Sequence, residues 1–378
     1  MSFTYRKATE NDYEKYLDFA NLVFSNAHRP HDFQTLIPKV YGEGRNAAYM
    51  QNIAVRDDGA IRGLVAVMPN TLRIMDTVLK TGYVGTVSVH PYARGEGHMK
   101  KLMAMAIENA ENDGLDIMML GGQRQRYEYF GFTKGGVSLN HRVTSTNLRH
   151  VLGDINVDNI EIVDIRPDDA EIIAKCCELH NANAVAAART PEEFYIIAIT
   201  WYAAPKAVIV DSEFAGFMIA NGEGISELRL KDVKLTGPVI KKYMQHANVS
   251  HIGISTGAYE TELNREFAKM EEGLDIGTPE MLRIFNFPKV IGALMELKAS
   301  YSALEDAEVA FVIDGKPMTV RVKDGVPSVT DELCEGAAEL TAMEAQRLFL
   351  GFDGELLVGR LPLGWANLPL YMSHVDAF

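Results

Sequence analysis

Residues 83–97 read Y-V-G-T-V-S-V-H-P-Y-A-R-G-E-G, and the placement of the rest of the chain follows from them. Val84 and Thr86, then Val87 and Val89 after a bulge, make an extended β-branched run. Pro91 stops it, because its ring removes a ladder donor and fixes φ. Arg94-Gly95-Glu96-Gly97-His98-Met99 then opens a helix that runs to Asn112. Strand, glycine loop and helix in that order aim unpaired N–H groups at one spot, with the positive end of the helix dipole behind them. Such a spot binds an anion. Two glycines let a diphosphate approach the backbone, and Arg94 adds charge. No G-x-G-x-x-G is present and no G-K-[ST] follows, which excludes the dinucleotide and P-loop patterns.

Working outward, Met99, Leu102, Met103, Ala106, Ile107 and Ala110 share one face of the helix, which Asn112-Asp113-Gly114 ends. An apolar strand over 115–120 breaks at Gly121-Gly122, and a short aromatic helix follows through R-Y-E-Y-F-G-F at 126–132. Upstream, a strand over 3–10 leads into a helix over 13–24. The polar segment 25–33 carries His28 and His31 and reads as a solvated or substrate-lip loop, not a metal site. Strands are expected over 52–55 and 61–68 as a hairpin, then over 71–78 and 80–89.

Beyond Phe132 the pattern restarts as a shorter copy, with strands over 157–165, 207–210, 214–220, 225–235 and 251–255 and helices over 167–181, 190–204 and 237–247. Its strand 225–235 runs into Thr236-Gly237-Pro238 without an R-x-x-G loop, so no working anion site is expected there. A third segment begins near Pro279. It holds a strand over 281–285, a helix over 288–298, a hairpin turning at Asp314-Gly315, a helix over 341–350 and a tail over 356–378.

The 378 residues suit two or three domains of about 100–200 residues. Hydrophobic residues make up 47% and charged residues 23%, which argues against disorder, and no apolar run approaches the roughly 18 residues of a membrane span. With no apolar leader visible, a cytoplasmic protein without stable membrane association is expected. Cys176, Cys177 and Cys334 offer neither a disulfide framework nor a metal pattern. Residues 1–150 hold 18 basic and 15 acidic side chains, and the remaining 228 hold 19 and 36. That acidic remainder argues against nucleic acid and tolerates cationic substrates.

The order V-x-V-x-P-x-x-R-x-x-G-x resembles the acetyl-CoA pyrophosphate loop of the GNAT N-acetyltransferases, with Met99 departing from the small residue of their R-x-x-G-x-G/A pattern. Together with Y-E-Y-F-G-F at 127–132, M-L-R-I-F-N-F-P-K-V at 281–290 and an end at Phe378, the chain resembles the Eis (enhanced intracellular survival) acetyltransferases. The resemblance implies an α/β (α+β) fold in three parts. These are an active GNAT domain over 1–150, a degenerate GNAT-like domain over 151–279 and a sterol-carrier-protein-like domain over 280–378. It implies acetyl-CoA as co-substrate, held by Val87, Ser88, Val89 and the loop Arg94, Gly95, Glu96, Gly97, His98 and Met99. It further implies Tyr127 as general acid, the terminal carboxylate of Phe378 as general base, and a homo-oligomer, often a hexamer. The acceptor would be a primary amine of an aminoglycoside, a polyamine or a lysine-like side chain.

Acetyl transfer needs a neutral amine, donors for the developing oxyanion and a proton for the leaving thiolate. A phenol of pKa near 10 can supply that proton, and Tyr129 is the rival to Tyr127. Backbone N–H groups near Val87 suit the oxyanion. An α-carboxyl with a reference pKa around 3.5 is a weak base, which burial or a relaying water must offset. Asp376 is a candidate partner for a cationic acceptor. The alternative expectation is a lipid- or acyl-binding protein with a vestigial GNAT half, based on the apolar runs at 281–287 and 356–370.

Overall fold

The structure, a computed structural model, describes residues 2–27, 29–45 and 47–378, so His28 of the polar loop lies outside it. The first sheet runs in the order Phe3–Lys7, Gln51–Arg56, Ile61–Ile74, Thr77–Val89, Ile117–Leu120, Glu280–Ile284 and Thr133–Gly135. All neighbours are antiparallel except Thr77–Val89 beside Ile117–Leu120. The breaks expected near Pro69 and Leu79 do not occur. Ile61–Ile74 and Thr77–Val89 form one long hairpin that turns at Met75, φ 49°, and Pro69 sits in register opposite Gly82. Val185–Ala187 pairs with its far end.

Both faces of this sheet are covered. The helix His98–Asn112 packs Leu102, Met103, Ala106 and Ala110 against Ala54, Val65, Val84 and Met118. On the other face, the helix Tyr13–Ala27 and the much later helix Phe287–Ala299 share a core with Leu64, Ala66 and Tyr83. Val290, Leu294 and Leu297 are fully buried in it, each contributing about 1.5–3 kcal/mol by leaving water.

A second sheet holds Gly273–Gly277, Ser138–Thr144, His251–Gly257, Gly224–Leu230, Glu213–Asn221, Ala204–Val210 and Ile160–Asp164. A third holds Val326–Thr330, Lys316–Lys323, Ala307–Ile313 and Ala338–Leu340, with the expected hairpin turning through Asp314 and Gly315 at φ 45° and 78°. The strand expected over 225–235 ends at Leu230, because Val233–Leu235 already turns into the helix Thr236–Ala247.

The sheets cut across the boundaries expected at 150/151 and 279/280. Ser138–Thr144 belongs to the second sheet, while Val185–Ala187 and Glu280–Ile284 belong to the first. The physical reason is edge pairing. Ile117–Leu120 is buried on both faces and needs a full partner on its free edge. Glu280–Ile284 fills that edge, with Met281 in the core under the helix His98–Asn112 and Leu282 in the opposite core.

Candidate active site

Thr77–Val89 and Ile117–Leu120 pair only over Thr81–Gly82–Tyr83 and then diverge, which opens a fork in the sheet. Beyond it, the edge of 84–89 facing the fork has no strand partner among the described residues, so its backbone groups can take a ligand. On the opposite edge the register passes from Leu64 opposite Ser88 to Ala66 opposite Gly85, so Thr86 and Val87 together face Val65. This is the bulge the sequence allows. Thr86 has φ 42°, a strained value for a β-branched residue. The Thr86 hydroxyl lies 2.8 Å from that of the fully buried Tyr41, and Ser88 Oγ donates to the Thr86 carbonyl at 3.0 Å.

At the mouth of the fork, Gly95 and Gly97 have φ 85° and 80°, and a Cβ on either would meet nothing within 4 Å. Glycine is required there by conformation, and the surrounding space is open. No side chain among the described residues caps the helix His98–Asn112, which leaves its first N–H groups available. The His98 ring turns inward, with Nδ1 2.8 Å from the Tyr5 hydroxyl and Nε2 3.1 Å from Glu96 Oε2. A cavity of about 1220 Å³ is lined by Val87, Ser88, Val89, Arg94, Gly95, Gly97, His98 and Met99. Glu96 is not on its wall. Met99 packs against the helix–sheet core, which accounts for an apolar residue at that position.

Tyr127 and Phe378 line the same cavity, more than two hundred residues apart in sequence. The Tyr127 ring fits over Gly122, whose Cβ would lie 2.3 Å from it. Burial pushes its phenol pKa up, opposed by Arg126, so it stays protonated at neutral pH. Tyr129 is 64% exposed at the rim, under the Lys100 ammonium 5.0 Å from its ring. The Phe378 ring, 6% exposed, lies directly on Gly85 and meets Tyr41 edge-on at 6.1 Å.

The tail that carries Phe378 is anchored from several sides. The buried Lys39 ammonium donates to the carbonyls of Val375, at 2.5 Å, and of Ala377. Burial pushes the Lys39 pKa down to about 7. Asp376 does not face an acceptor, as the sequence had suggested. It is buried and accepts Arg189 Nε and Nη2 at 2.9 and 2.7 Å, because a carboxylate on this inward face requires a buried cation. Arg189 Nη2 lies 2.8 Å from Glu227 Oε2, outside hydrogen-bond alignment. The other oxygen, Glu227 Oε1, accepts from His180 Nδ1 at 2.7 Å and Arg229 Nε at 3.1 Å.

The second sheet has a fork of its own. Gly224–Leu230 and His251–Gly257 run parallel and pair only through Gly224 with Gly253 and Ile225 with Ile254. The next carbonyls on the two strands, Ser226 and Ser255, accept from Ser373 Oγ at 3.1 Å and the Tyr371 hydroxyl at 2.7 Å. The tail thus crosses this second fork on its way to the first. The helix Thr236–Ala247 that follows buries its start, with Gly237 against Leu152.

Glu280, Tyr83, Trp201 and His374 also line the cavity and were not singled out by sequence reasoning. Trp201, at φ 63°, stacks on His374 with ring centres 5.3 Å apart. Glu280 is the only acidic side chain on the wall among the described residues. Its Oε2 is buried with no hydrogen-bond partner among the described residues, and burial pushes its carboxyl up to about 7, with the nearby Tyr83 hydroxyl opposing. The sequence signal is a glutamate opening the apolar strand M-L-R-I after Pro279, and it carries no hint of which sheet that strand enters.

Residues 4–135 match the family model of the acetyltransferase (GNAT) domain. The fold of the whole chain is similar to that of a probable N-acyltransferase from Enterococcus faecalis, at 13% identity and TM-score 0.69, covering 98% of this chain and 97% of that one. It is also similar to a GCN5-related N-acetyltransferase from Anabaena variabilis, at 14% identity and TM-score 0.67 over 100% of both chains. Eis1 from Mycobacterium abscessus is similar at 12% identity and TM-score 0.62, again over 100% of both. No curated protein matches the sequence. Residues 4–135 are thus similar to a GNAT acetyltransferase domain, within a mixed α/β fold that these solved structures share along the length of the chain. No helix among the described residues is long and apolar enough to cross a membrane.

Proposed function

We propose that this protein is an acetyl-CoA-dependent N-acetyltransferase that acts on a primary amine of aminoglycoside, polyamine or lysine-like character. The observation that carries the reading is that one cavity joins the forked strand edge, the uncapped helix start beside Arg94 and the buried Tyr127 phenol. The loop Arg94 to Met99 would take the pyrophosphate, and the free edge of Val87, Ser88 and Val89 would take the pantetheine arm as a strand takes a neighbour. Backbone N–H groups at the bulge would hold the oxyanion, Tyr127 would protonate the leaving thiolate, and the terminal carboxylate of Phe378 would take a proton from nitrogen. Within this reading, residues 280–378 form the sterol-carrier-protein-like part, which lends a strand to the first sheet and the tail to the site.

Thiol release with an amine panel tests it. Tyr127→Phe should lower turnover by about 10²–10⁴-fold with acetyl-CoA affinity retained, while Tyr129→Phe has little effect. The reverse pattern removes Tyr127 from the acid role. Residues appended after Phe378 should lower kcat and spare acetyl-CoA binding; an unchanged kcat removes the carboxylate. Failure to bind acetyl-CoA in calorimetry would turn the reading toward an acyl- or lipid-binding protein.

A further inference from the structure

Along Thr77–Val89 side chains alternate between faces, so Tyr83 and Gly85 look out on the same side of the fork. Phe378 sits on Gly85 on that side, in the core that also contains Tyr83 and Leu282. Glu280 is two residues before Leu282 and therefore points to the same face. The position a Cβ would occupy on Gly121 lies 3.7 Å from Glu280 Oε2 and 3.8 Å from the Tyr83 hydroxyl, so Gly121 adjoins both groups. Glu280 is thus a carboxylate with one unpartnered, buried oxygen, on the wall that also bears the end of the chain.

We propose that Glu280 binds the ammonium group of the acceptor and removes its first proton. This rests on the acetyltransferase reading above and adds to it a second carboxylate with a separate task. An ammonium of ordinary basicity needs an acceptor whose own pKa lies near the working pH, and a terminal α-carboxyl falls well below it. At Glu280 the N–H bond breaks, the electron pair stays on nitrogen as the attacking lone pair, and the proton resides on the carboxylate until solvent takes it. Attack on the thioester then makes the nitrogen cationic and far more acidic, so the weaker base at Phe378 suffices for the second proton. The C–S bond breaks, the thiolate takes the proton of Tyr127, and the proton held by Phe378 passes through solvent to restore the phenol. Ammonium and thioester become amide, thiol and one released proton, in balance.

A cationic acceptor finds one acidic side chain to pair with on a wall that also holds Arg94, Lys100 and Arg126. Tyr83 is the titratable group against Glu280, and Arg126, Tyr127 and His374 stand on the other walls. Because the folded state holds the Glu280 carboxyl up to about 7, the basic form gains population as pH rises through neutrality, and kcat/KM should rise with it.

The experiment measures thiol release from acetyl-CoA with kanamycin, spermidine and Nα-acetyl-lysine, then follows the best acceptor from pH 5.5 to 9. Glu280→Gln should lower kcat/KM at pH 7 by about 10²-fold or more, abolish the inflection near neutrality and leave the acetyl-CoA Kd unchanged. Tyr83→Phe, which removes a nearby hydroxyl that favours the ionised carboxyl, should move the inflection to higher pH and serves where Glu280→Gln does not fold. An inflection retained in Glu280→Gln, or unmoved in Tyr83→Phe, overturns the inference while the acetyltransferase reading stands. Acetyl-CoA bound with no thiol released to any of the three amines overturns that reading and this inference together.

Discussion

A Cβ on Gly85 would lie 1.9 Å from the Phe378 ring, and one on Gly122 would lie 2.3 Å from the Tyr127 ring. Each glycine gives up side-chain packing so that an aromatic ring can reach the cavity, one from five residues on and one from the far end of the chain. Neither contact is with rotatable ends alone, because both rings are held on their other sides, Phe378 by Tyr41 and Tyr127 by the helix–sheet core. Gly85→Ala should therefore displace the end of the chain and lower kcat by about 10-fold or more, while acetyl-CoA affinity stays within a few-fold. Calorimetry beside a steady-state assay checks it, and a parallel loss of both would show that Gly85 serves the cofactor edge instead. In sequence, Gly121-Gly122 reads only as the end of a strand. The second task of Gly85 is invisible there, because it depends on a residue that arrives from the far end of the chain.

At the scale of elements, the tail 371–378 is held by charge as much as by apolar contact. Arg189, Asp376 and Glu227 are all nearly inaccessible to solvent, so each relies on the others for the solvation that water would supply. Asp376→Asn should cost on the order of 3 kcal/mol in a denaturant melt, because it leaves the buried Arg189 with one anionic partner fewer. Replacing both members, Arg189→Met with Asp376→Leu, should recover part of that loss. If the single and double variants lose the same stability, the pair is not coupled and the tail is held by its other contacts. The sequence does place a carboxylate two residues from the end of the chain, and its chemistry invites a role in substrate binding. Only the opposing arginine, 187 residues earlier, shows that the group positions the tail.

For the molecule as a whole, the first sheet is not a local structure. Glu280–Ile284 separates Ile117–Leu120 from Thr133–Gly135, and Phe287–Ala299 covers the face that holds Leu64 and Ala66. A fragment of residues 1–150 lacks both, and it also carries Ser138–Thr144 without the sheet that strand belongs to. Such a fragment should bind a hydrophobic dye and melt without a cooperative transition, whereas the full chain melts cooperatively. A cooperative melt of 1–150 with native-like circular dichroism would show that the later strand and helix are dispensable.

What the sequence by itself determined is what local chemistry controls. The bulged strand, the proline stop, the αL glycines and the helix ending at Asn112 follow from steric and capping rules that act over a few residues. The residues of the glycine loop lie within those elements, whereas Tyr127 could be named only through the resemblance to the acetyltransferases. The tertiary structure alone decided that residues 280–284 complete the first sheet, that the tail crosses the second fork, and that Glu280 and Phe378 meet on one face. The physical reason is that strand pairing and burial of charge are satisfied by any segment with the right alternation and sign, so no local pattern records which partner is chosen.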